Sequence, residues 1–307
     1  MELMQLQMLV AVAEEGTLQR AAERVYRTGP AVSIAIGKLE GELGTPLFDR
    51  SGHDFRLTDA GEVFLNYAKR MLSLRDEALA AAEGIKNIKR GHMRIGANQS
   101  IGEYLLPRLT EAFLKQYPDV KVKVVIGYSE SVISALKHHE LDVALVASRP
   151  RDSDLQAHLL MRDKLVAAMS PKHHLANTEV IHIQDLGAEP LIVLTVSSEL
   201  RERVVETFRR FHIPLNVRVE TETLESVKQM AARDMGMGIV PRMCVQKEEA
   251  SGELIVKTIE EFREERNLWI VCRRQAREPS PVCQAFMKLI KSELNPALRP
   301  HYANARS

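Results

Sequence analysis

The stretch from Arg27 to Glu40, RTGPAVSIAIGKLE, has the layout of a helix that could lie in a groove of DNA. A hydroxyl at Thr28 can cap its start, Pro30 falls in the first turn, Ser33 supplies a second hydroxyl and Lys38 a cation. Such residues do recognition chemistry: hydroxyls reach bases or phosphates, and apolar atoms pack on a thymine methyl. Gly29, Ile34, Ala35 and Gly37 stand where polar, base-reading side chains would be expected. Catalysis has no comparable signature. No Ser/His/Asp or Cys/His arrangement and no paired-carboxylate motif stands out, so an enzyme is not expected. The pairs His138-His139 and His173-His174 lack the spacing that sets two metal ligands on one helix face, and they read as solvated. The run GMGMGIVP, with Gly236 and Gly238, follows a helix and precedes a strand, the wrong order for a dinucleotide fingerprint; it reads as a tight turn. Cys244, Cys272 and Cys283 lack metal-type spacing and read as reduced thiols. No cofactor and no metal are expected.

The elements around that stretch follow from periodicity and punctuation. Leu3, Leu6, Leu9, Val10 and Ala13 recur at helical spacing, and Gly16 ends the helix. Thr17 caps the next helix, which carries Leu18, Ala21, Ala22 and Val25 on one face. After a break at Tyr26-Arg27, with Tyr26 expected in the core of the turn, Thr28 caps a third helix that runs to Leu43 and stops at Gly44. Its early proline costs little, because the first helical N–H groups have no partner there anyway. Val32, Ile36, Leu39 and Leu43 form its buried stripe. Leu47-Phe48, a turn at Ser51-Gly52, then Phe55 and Leu57 read as a small hairpin. Thr58 can cap a helix from Asp59 to about Lys89, roughly 45 Å long at 1.5 Å per residue. Its apolar stripe suits a connection between domains that pairs with another copy of itself.

Beyond residue 90 strands and helices alternate, which argues for parallel sheets in two α/β lobes. Strands are expected at Met93–Ala97, from Val120 and in LDVALVA, with helices at Glu103–Tyr117 and Ser129–His139. A second set has strands near Leu165–Met169, Leu191–Leu194, Val217–Glu220 and Ile239–Val240, with helices near Glu199–His212 and Leu224–Met235. Leu268–Cys272 and a helix over about Ser280–Leu294 close the chain.

Bulk numbers set limits. The 307 residues can hold more than one domain. A net charge of +1 gives no overall field for nucleic acid, and the first 58 residues carry six basic against eight acidic side chains. DNA binding there requires the basic groups to be set apart from the acids. The start MELMQLQMLV lacks a basic n-region and cleavage site, and no apolar run is long enough to span a membrane, so a cytoplasmic protein without a membrane partner is expected.

Three successive helices followed by a hairpin make a winged helix-turn-helix, whose third helix enters the major groove. The segment AAERVYRTGPAVSIAIGKLEGELGTPLFDRSGHDFRLTDAGE resembles the N-terminal domain of LysR-type transcriptional regulators. Ala21-Ala22, Pro30-Ala31-Val32-Ser33, Ile36, Leu39-Glu40, Gly44, Leu47-Phe48, Arg50, Leu57-Thr58 and Ala60-Gly61 fall in register with that family's motifs. The length and the α/β remainder suit the family too. Gly29 replaces the usual glutamine, and Ile34, Ala35 and Gly37 replace residues that are often polar there.

The resemblance implies a winged helix-turn-helix over residues 1–58, a linker and dimerisation helix over 59–90 and an effector-binding domain over 91–307. That last domain is similar to type 2 periplasmic binding proteins, with lobe I at about 91–161 and 267–300 and lobe II at about 162–266. It implies double-stranded DNA at a partly symmetric promoter site, a small-molecule effector, and a homodimer or homotetramer. Thr28, Gly29, Pro30, Ser33 and Ile34 would face the bases, Arg27 lies in the turn, and Lys38 would neutralise a phosphate. Arg50, His53 and Arg56 in or beside the wing would touch the backbone, unless Arg50 pairs with a local carboxylate. Ligands of parallel α/β lobes collect beyond strand C-termini. That logic selects Asn98, Gln99, Ser100, Tyr128, Ser129 and Arg149 in the first lobe, and Val196, Ser197, Ser198, Glu222 and Thr223 in the second. Ser100, Ser129, Ser197, Ser198 and Thr223 could alternatively only cap helices, and Arg149 could pair with Asp152 or Asp154. Hydroxyls and helix starts suit a carboxylate or other small anion, whereas Glu222 favours a ligand with a donor group.

Overall fold

The computed structural model describes residues 1–49, 55–84, 91–195, 199–262, 265–274 and 279–293. The chain divides into two compact units, Met1–Ile88 with Lys137–Glu140, and Lys89–Leu136 with Leu141–Ser307.

In the first unit, α1 (Leu3–Glu15) ends at Gly16, whose φ of +71° allows its N–H to return to the Val12 carbonyl at 3.0 Å. Thr17 then caps α2 (Leu18–Arg24), accepting from the Arg20 N–H. The third helix, α3 (Gly29–Leu43), stops at Gly44 with φ +68°. Thr28 stands at its N-cap, but only its carbonyl serves the helix, accepting from the Val32 N–H at 3.1 Å; the expected side-chain cap is not made. This leaves the hydroxyl exposed and available to a partner. Leu6, Leu9 and Val12 of α1 meet Ala21 and Ala22 of α2 and Val32, Ile36 and Leu39 of α3 in one core. Burying each of the larger residues contributes about 1.5–3 kcal/mol, which fixes the angle at which α3 is presented. Leu43 departs from the expected stripe: at the last helical position it is 38% exposed.

The hairpin strands β1 (Phe48–Asp49) and β2 (Arg56–Leu57) pair antiparallel, Phe48 opposite Leu57. Phe48 meets Phe55 edge to face at 5.8 Å. Glu40 of α3 accepts the N–H groups of Leu47 and Phe48 at 2.8 and 3.3 Å and so ties the hairpin to α3. The long helix α4 (Asp59–Gly84) follows, its first turn capped by Thr58 through the Gly61 N–H at 3.0 Å. Val63, Tyr67 and Leu74 of α4 are more than half exposed, an apolar row that this unit does not cover.

The second unit holds two five-stranded sheets. Its first part runs β3 (Gly91–Ala97), α5 (Gln99–Tyr104), α6 (Leu106–Gln116), β4 (Val120–Ile126), α7 (Ser129–Lys137), β5 (Val143–Val146) and β6 (Leu155–Asp163). The expected single helix over 103–117 is two helices broken at Leu105: Pro107 in the first turn of α6 has no N–H to continue α5. Then come β7 (Leu165–Met169), β8 (Leu191–Leu194), α8 (Glu199–Arg210), β9 (Val217–Thr221), α9 (Leu224–Ala232), β10 (Met237–Pro241), α10 (Gln246–Ser251) and β11 (Ile255–Thr258). The chain closes with β12 (Arg266–Arg273) and α11 (Pro281–Glu293). The sheet orders are β4-β3-β5-β12-β6 and β11-β7-β10-β8-β9.

Both sheets are mixed rather than parallel. The core β4, β3, β5 and β10, β8, β9 pairings are parallel as expected, but β12 runs antiparallel to β5 and β6, and β7 antiparallel to β10 and β11. The antiparallel members include β6 and β11, which the sequence reading did not assign. The chain passes from the first sheet to the second through Lys164 alone, between β6 and β7, and β12 returns it. The tight turn expected at Gly236 is present, with φ +153°; a Cβ there would press on the Pro190 carbonyl oxygen at 2.5 Å.

Candidate functional site

Two surfaces gather the residues singled out above. On the first unit, α3 presents Pro30, Ile34, Gly37 and Lys38 to solvent, with Ile34 60% exposed, while Gly29 and Ser33 are half-buried. Arg27 and Arg56 are exposed; Arg50 and His53 lie outside the described residues. Tyr26 corrects the expectation: it is not in the core but 90% exposed. Its φ of +55° turns the side chain outward, while the backbone closes the turn through Tyr26 N–H to the Glu23 carbonyl and Arg27 N–H to the Ala22 carbonyl.

Three of the acids of this unit are held in ion pairs within it. Arg24 binds Glu14 at 2.6 Å and Glu15 at 3.1 Å, and the terminal amine binds Glu42 at 2.5 Å. Burial pushes the Glu14 carboxyl up, but the Arg24 and Lys69 cations outweigh it and hold the group below the usual carboxylate range. Arg27, Lys38 and Arg56 are exposed. Gly37 has no packing reason for being glycine, since a Cβ there meets nothing within 4 Å. Gly37→Ala is therefore expected to stabilise this unit by about 0.5–1 kcal/mol through helix propensity, seen as a higher urea midpoint by circular dichroism.

On the second unit a cleft of about 670 Å³ opens between the two sheets. Its walls are the segments that follow parallel strands: Asn98-Gln99-Ser100 after β3, Gly127-Tyr128-Ser129 after β4, Ala147-Ser148 after β5, Thr195 after β8 and Glu222-Thr223 after β9. Asn98 caps α5 through the Ile101 N–H at 3.1 Å, so the Ser100 hydroxyl is not the cap. The Ser129 hydroxyl donates to Glu199 at 2.8 Å. Thr223 does cap α9, through the Ser226 N–H. Val196, Ser197 and Ser198 lie outside the described residues. Arg149 is not in the lining; its guanidinium sits 5.2 Å from the Trp269 ring centre.

Sequence reasoning missed Arg266, which lines the cleft from the start of β12. Its guanidinium donates to Ser100 Oγ at 3.0 Å and pairs with Asp163 at 3.2 Å. Burial pushes the Asp163 carboxyl up, and the Arg266 charge opposes that shift. It also missed Glu130, Glu199, Glu202 and Arg203 on the walls.

Elsewhere, His173 is not solvated as expected but half-buried, its side chain 8% exposed. His173, His174 and Glu189 bring ligand-type atoms within 4.8 Å of one another, the histidine Nε2 atoms 3.3 and 3.2 Å from the carboxylate. The Leu175 N–H donates to His173 Nδ1 at 3.3 Å. The trio sits at the turn after β7. Burial pushes the Cys244 and Cys272 thiols up, away from the reactive thiolate.

Residues 3–62 match the family described as bacterial regulatory helix-turn-helix protein, lysR family, and residues 86–295 match LysR substrate binding domain. A probable RuBisCO transcriptional regulator of Trichormus variabilis is 30% identical over 292 residues, 93% of this chain and 86% of that protein. A full-length OxyR variant from Pseudomonas aeruginosa superposes with a TM-score of 0.76 at 26% identity, covering 96% of this chain and 95% of that one. The regulatory domain of Synechocystis CcmR, solved in complex with 2-PG, does so with a TM-score of 0.62 at 25% identity, covering 67% of this chain and 99% of that domain. Among the described residues no helix is long and apolar enough to cross a membrane.

Proposed function

The chain belongs to the LysR family of transcriptional regulators, and from that premise we propose which of its surfaces meet DNA and effector. The exposed face of α3 lies in the major groove, with Thr28, Gly29, Pro30, Ser33 and Ile34 toward the bases and Arg27 and Lys38 toward phosphates. Arg56 holds the flanking backbone, a role the sequence also assigns to Arg50 and His53. The cleft of the second unit takes the small-molecule effector, using Asn98, Gln99, Ser100, Tyr128, Ser129, Glu222 and Thr223. The CcmR regulatory domain was solved in complex with 2-PG, and that likeness supports a small-molecule effector here.

The single observation that carries this reading is the convergence of five strand-end segments from both sheets on one cleft. Two sheets joined by two crossing strands can close on a ligand, and a ligand that prefers the closed form shifts the population toward it. The exposed row Val63, Tyr67 and Leu74 on α4 supports a homodimer or higher homo-oligomer through that helix. Two recognition helices then meet a partly symmetric site. A protein that works on the chromosome is placed in the cytoplasm, and a regulator without catalytic turnover accounts for the whole chain.

A gel-shift titration of the full chain on DNA from upstream of its own coding region tests this. The expected result is a sequence-selective shift whose affinity falls steeply with salt. Equal binding to unrelated DNA at every salt concentration would count against the assigned recognition face.

A further inference from the structure

Arg266 is the least expected residue of the cleft, because its charge is buried and yet incompletely used. It is 8% exposed, and the Asp163 side chain beside it is fully buried. Nε donates to Asp163 Oδ2 at 3.3 Å, and Nη2 to Ser100 Oγ at 3.0 Å, with Met243 Sδ at 3.9 Å. Asp163 is held in turn by the Met243 N–H at 3.3 Å. Among the described residues Nη1 makes no hydrogen bond, and the residue forms part of the cleft wall. A buried guanidinium with donors to spare, facing a cavity, calls for an acceptor, and a charged acceptor gives the stronger bond.

The opposite demand comes from the remaining walls. Glu130, Glu199, Glu202 and Glu222 line the cleft, against Arg203 as the other cation. A ligand carrying several negative charges would meet repulsion there, whereas hydroxyl or amino donors would be welcomed. The place of the pair in the chain adds a third element. Asp163 ends β6 and Arg266 begins β12, the two strands by which the chain crosses between sheets. An anion on Arg266 would share the guanidinium with Asp163 at this crossing.

We infer that Arg266, with Ser100, anchors the single anionic head of a small effector that also carries hydrogen-bond donors, and that this head competes with Asp163 for the guanidinium at the crossing between the sheets. The inference rests on the cleft being the effector site. Competition has a definite sign: removing the Asp163 charge should tighten anion binding, because the guanidinium is then shared less. A merely structural Asp163 would leave affinity unchanged or weaken it.

The test uses calorimetry on the full chain with three probes on one skeleton: glycerol, glycerate and glycerol phosphate. Glycerate or glycerol phosphate should bind about 10-fold or more tighter than glycerol. Whichever is tighter says whether the head is carboxylate or phosphate. Asp163→Asn should raise the affinity for the anionic probe several-fold. Arg266→Met alone would strand a buried carboxylate, so the neutral double change Arg266→Met with Asp163→Asn is used, its fold checked by circular dichroism. It should erase the preference for the anion over glycerol. Thr195→Trp, which fills the cleft from the other lobe, should abolish binding of all three. Anionic probes that bind no tighter than glycerol, or do not bind at millimolar concentration, overturn the inference. So does an anion preference that survives the double change while Thr195→Trp still abolishes binding; the cleft reading then stands. Binding that Thr195→Trp leaves intact removes the cleft reading itself.

Discussion

Gly61→Ala is expected to destabilise the first unit by about 3 kcal/mol, the sum of an overpacking cost and a weakened hydrogen bond. A Cβ at Gly61 would collide with the Leu47 carbonyl oxygen and come within 3.0 Å of the Leu57 side chain. The Leu47 backbone cannot step aside cheaply. Its carbonyl accepts the Thr58 N–H at 3.0 Å, and its own N–H donates to Glu40 at 2.8 Å. Moving it loosens the hairpin from α3 and from the start of α4 together. Against a typical domain stability of about 5–15 kcal/mol, the loss is large. The chain's only tryptophan, Trp269, lies in the second unit, so its fluorescence reports that unit, whereas far-UV circular dichroism sums the helices of both, and a transition seen only by circular dichroism belongs to the first. Urea titration should show an early helical transition while the tryptophan transition stays in place. An unchanged helical transition would refute the collision argument.

The legibility of the sequence follows the range of the interactions. The helices of the first unit were readable because caps and periodicity are local: Thr17, Gly16 and Gly44 do in the structure what their residue types suggest. The strand-end segments of the cleft were readable for the same reason, since Asn98, Gln99, Ser100, Tyr128, Ser129, Glu222 and Thr223 all reach its lining. Arg266 was not readable. It meets Ser100 across 166 residues and Asp163 across 103, and in the run FREERNLWI it looks like one more solvated charge. The strand β6 was hidden because LQAHLLMRD, a strand next to the edge-crossing Lys164, shows no clean alternation of buried and exposed positions. Tyr26 misled in the other direction. An aromatic residue beside Val25 suggests core, but only the turn's backbone geometry tells which way it points.

The same distinction between packing and recognition sets the sharpest expectation for α3. Ile34→Asp should leave the unfolding transition of the first unit within about 0.5 kcal/mol of the parent, because the side chain is 60% exposed and outside the core formed by Val32, Ile36 and Leu39. DNA binding should nevertheless fall by roughly 100-fold or more, since the new carboxylate is brought against phosphates and base edges and like charges in an interface cost several kcal/mol. Ile34→Ala separates charge from shape. It removes apolar contact with a thymine methyl without adding repulsion, so it should weaken the specific site by about 10-fold and leave non-specific binding and its salt slope unchanged. Gly37, one turn along the same face, extends the comparison, because alanine there strengthens the helix while adding a methyl group toward the DNA. A chain whose Ile34→Asp form still shifts its specific DNA at parental affinity would have its recognition surface elsewhere. If Ile34→Asp unfolds the unit instead, the residue belongs to the core and the assigned face is wrong. On the proposed reading, with Gly29 and Gly37 bare and Ile34 apolar, α3 would discriminate by shape and methyl contact, with Arg27, Lys38 and Arg56 as its phosphate anchors.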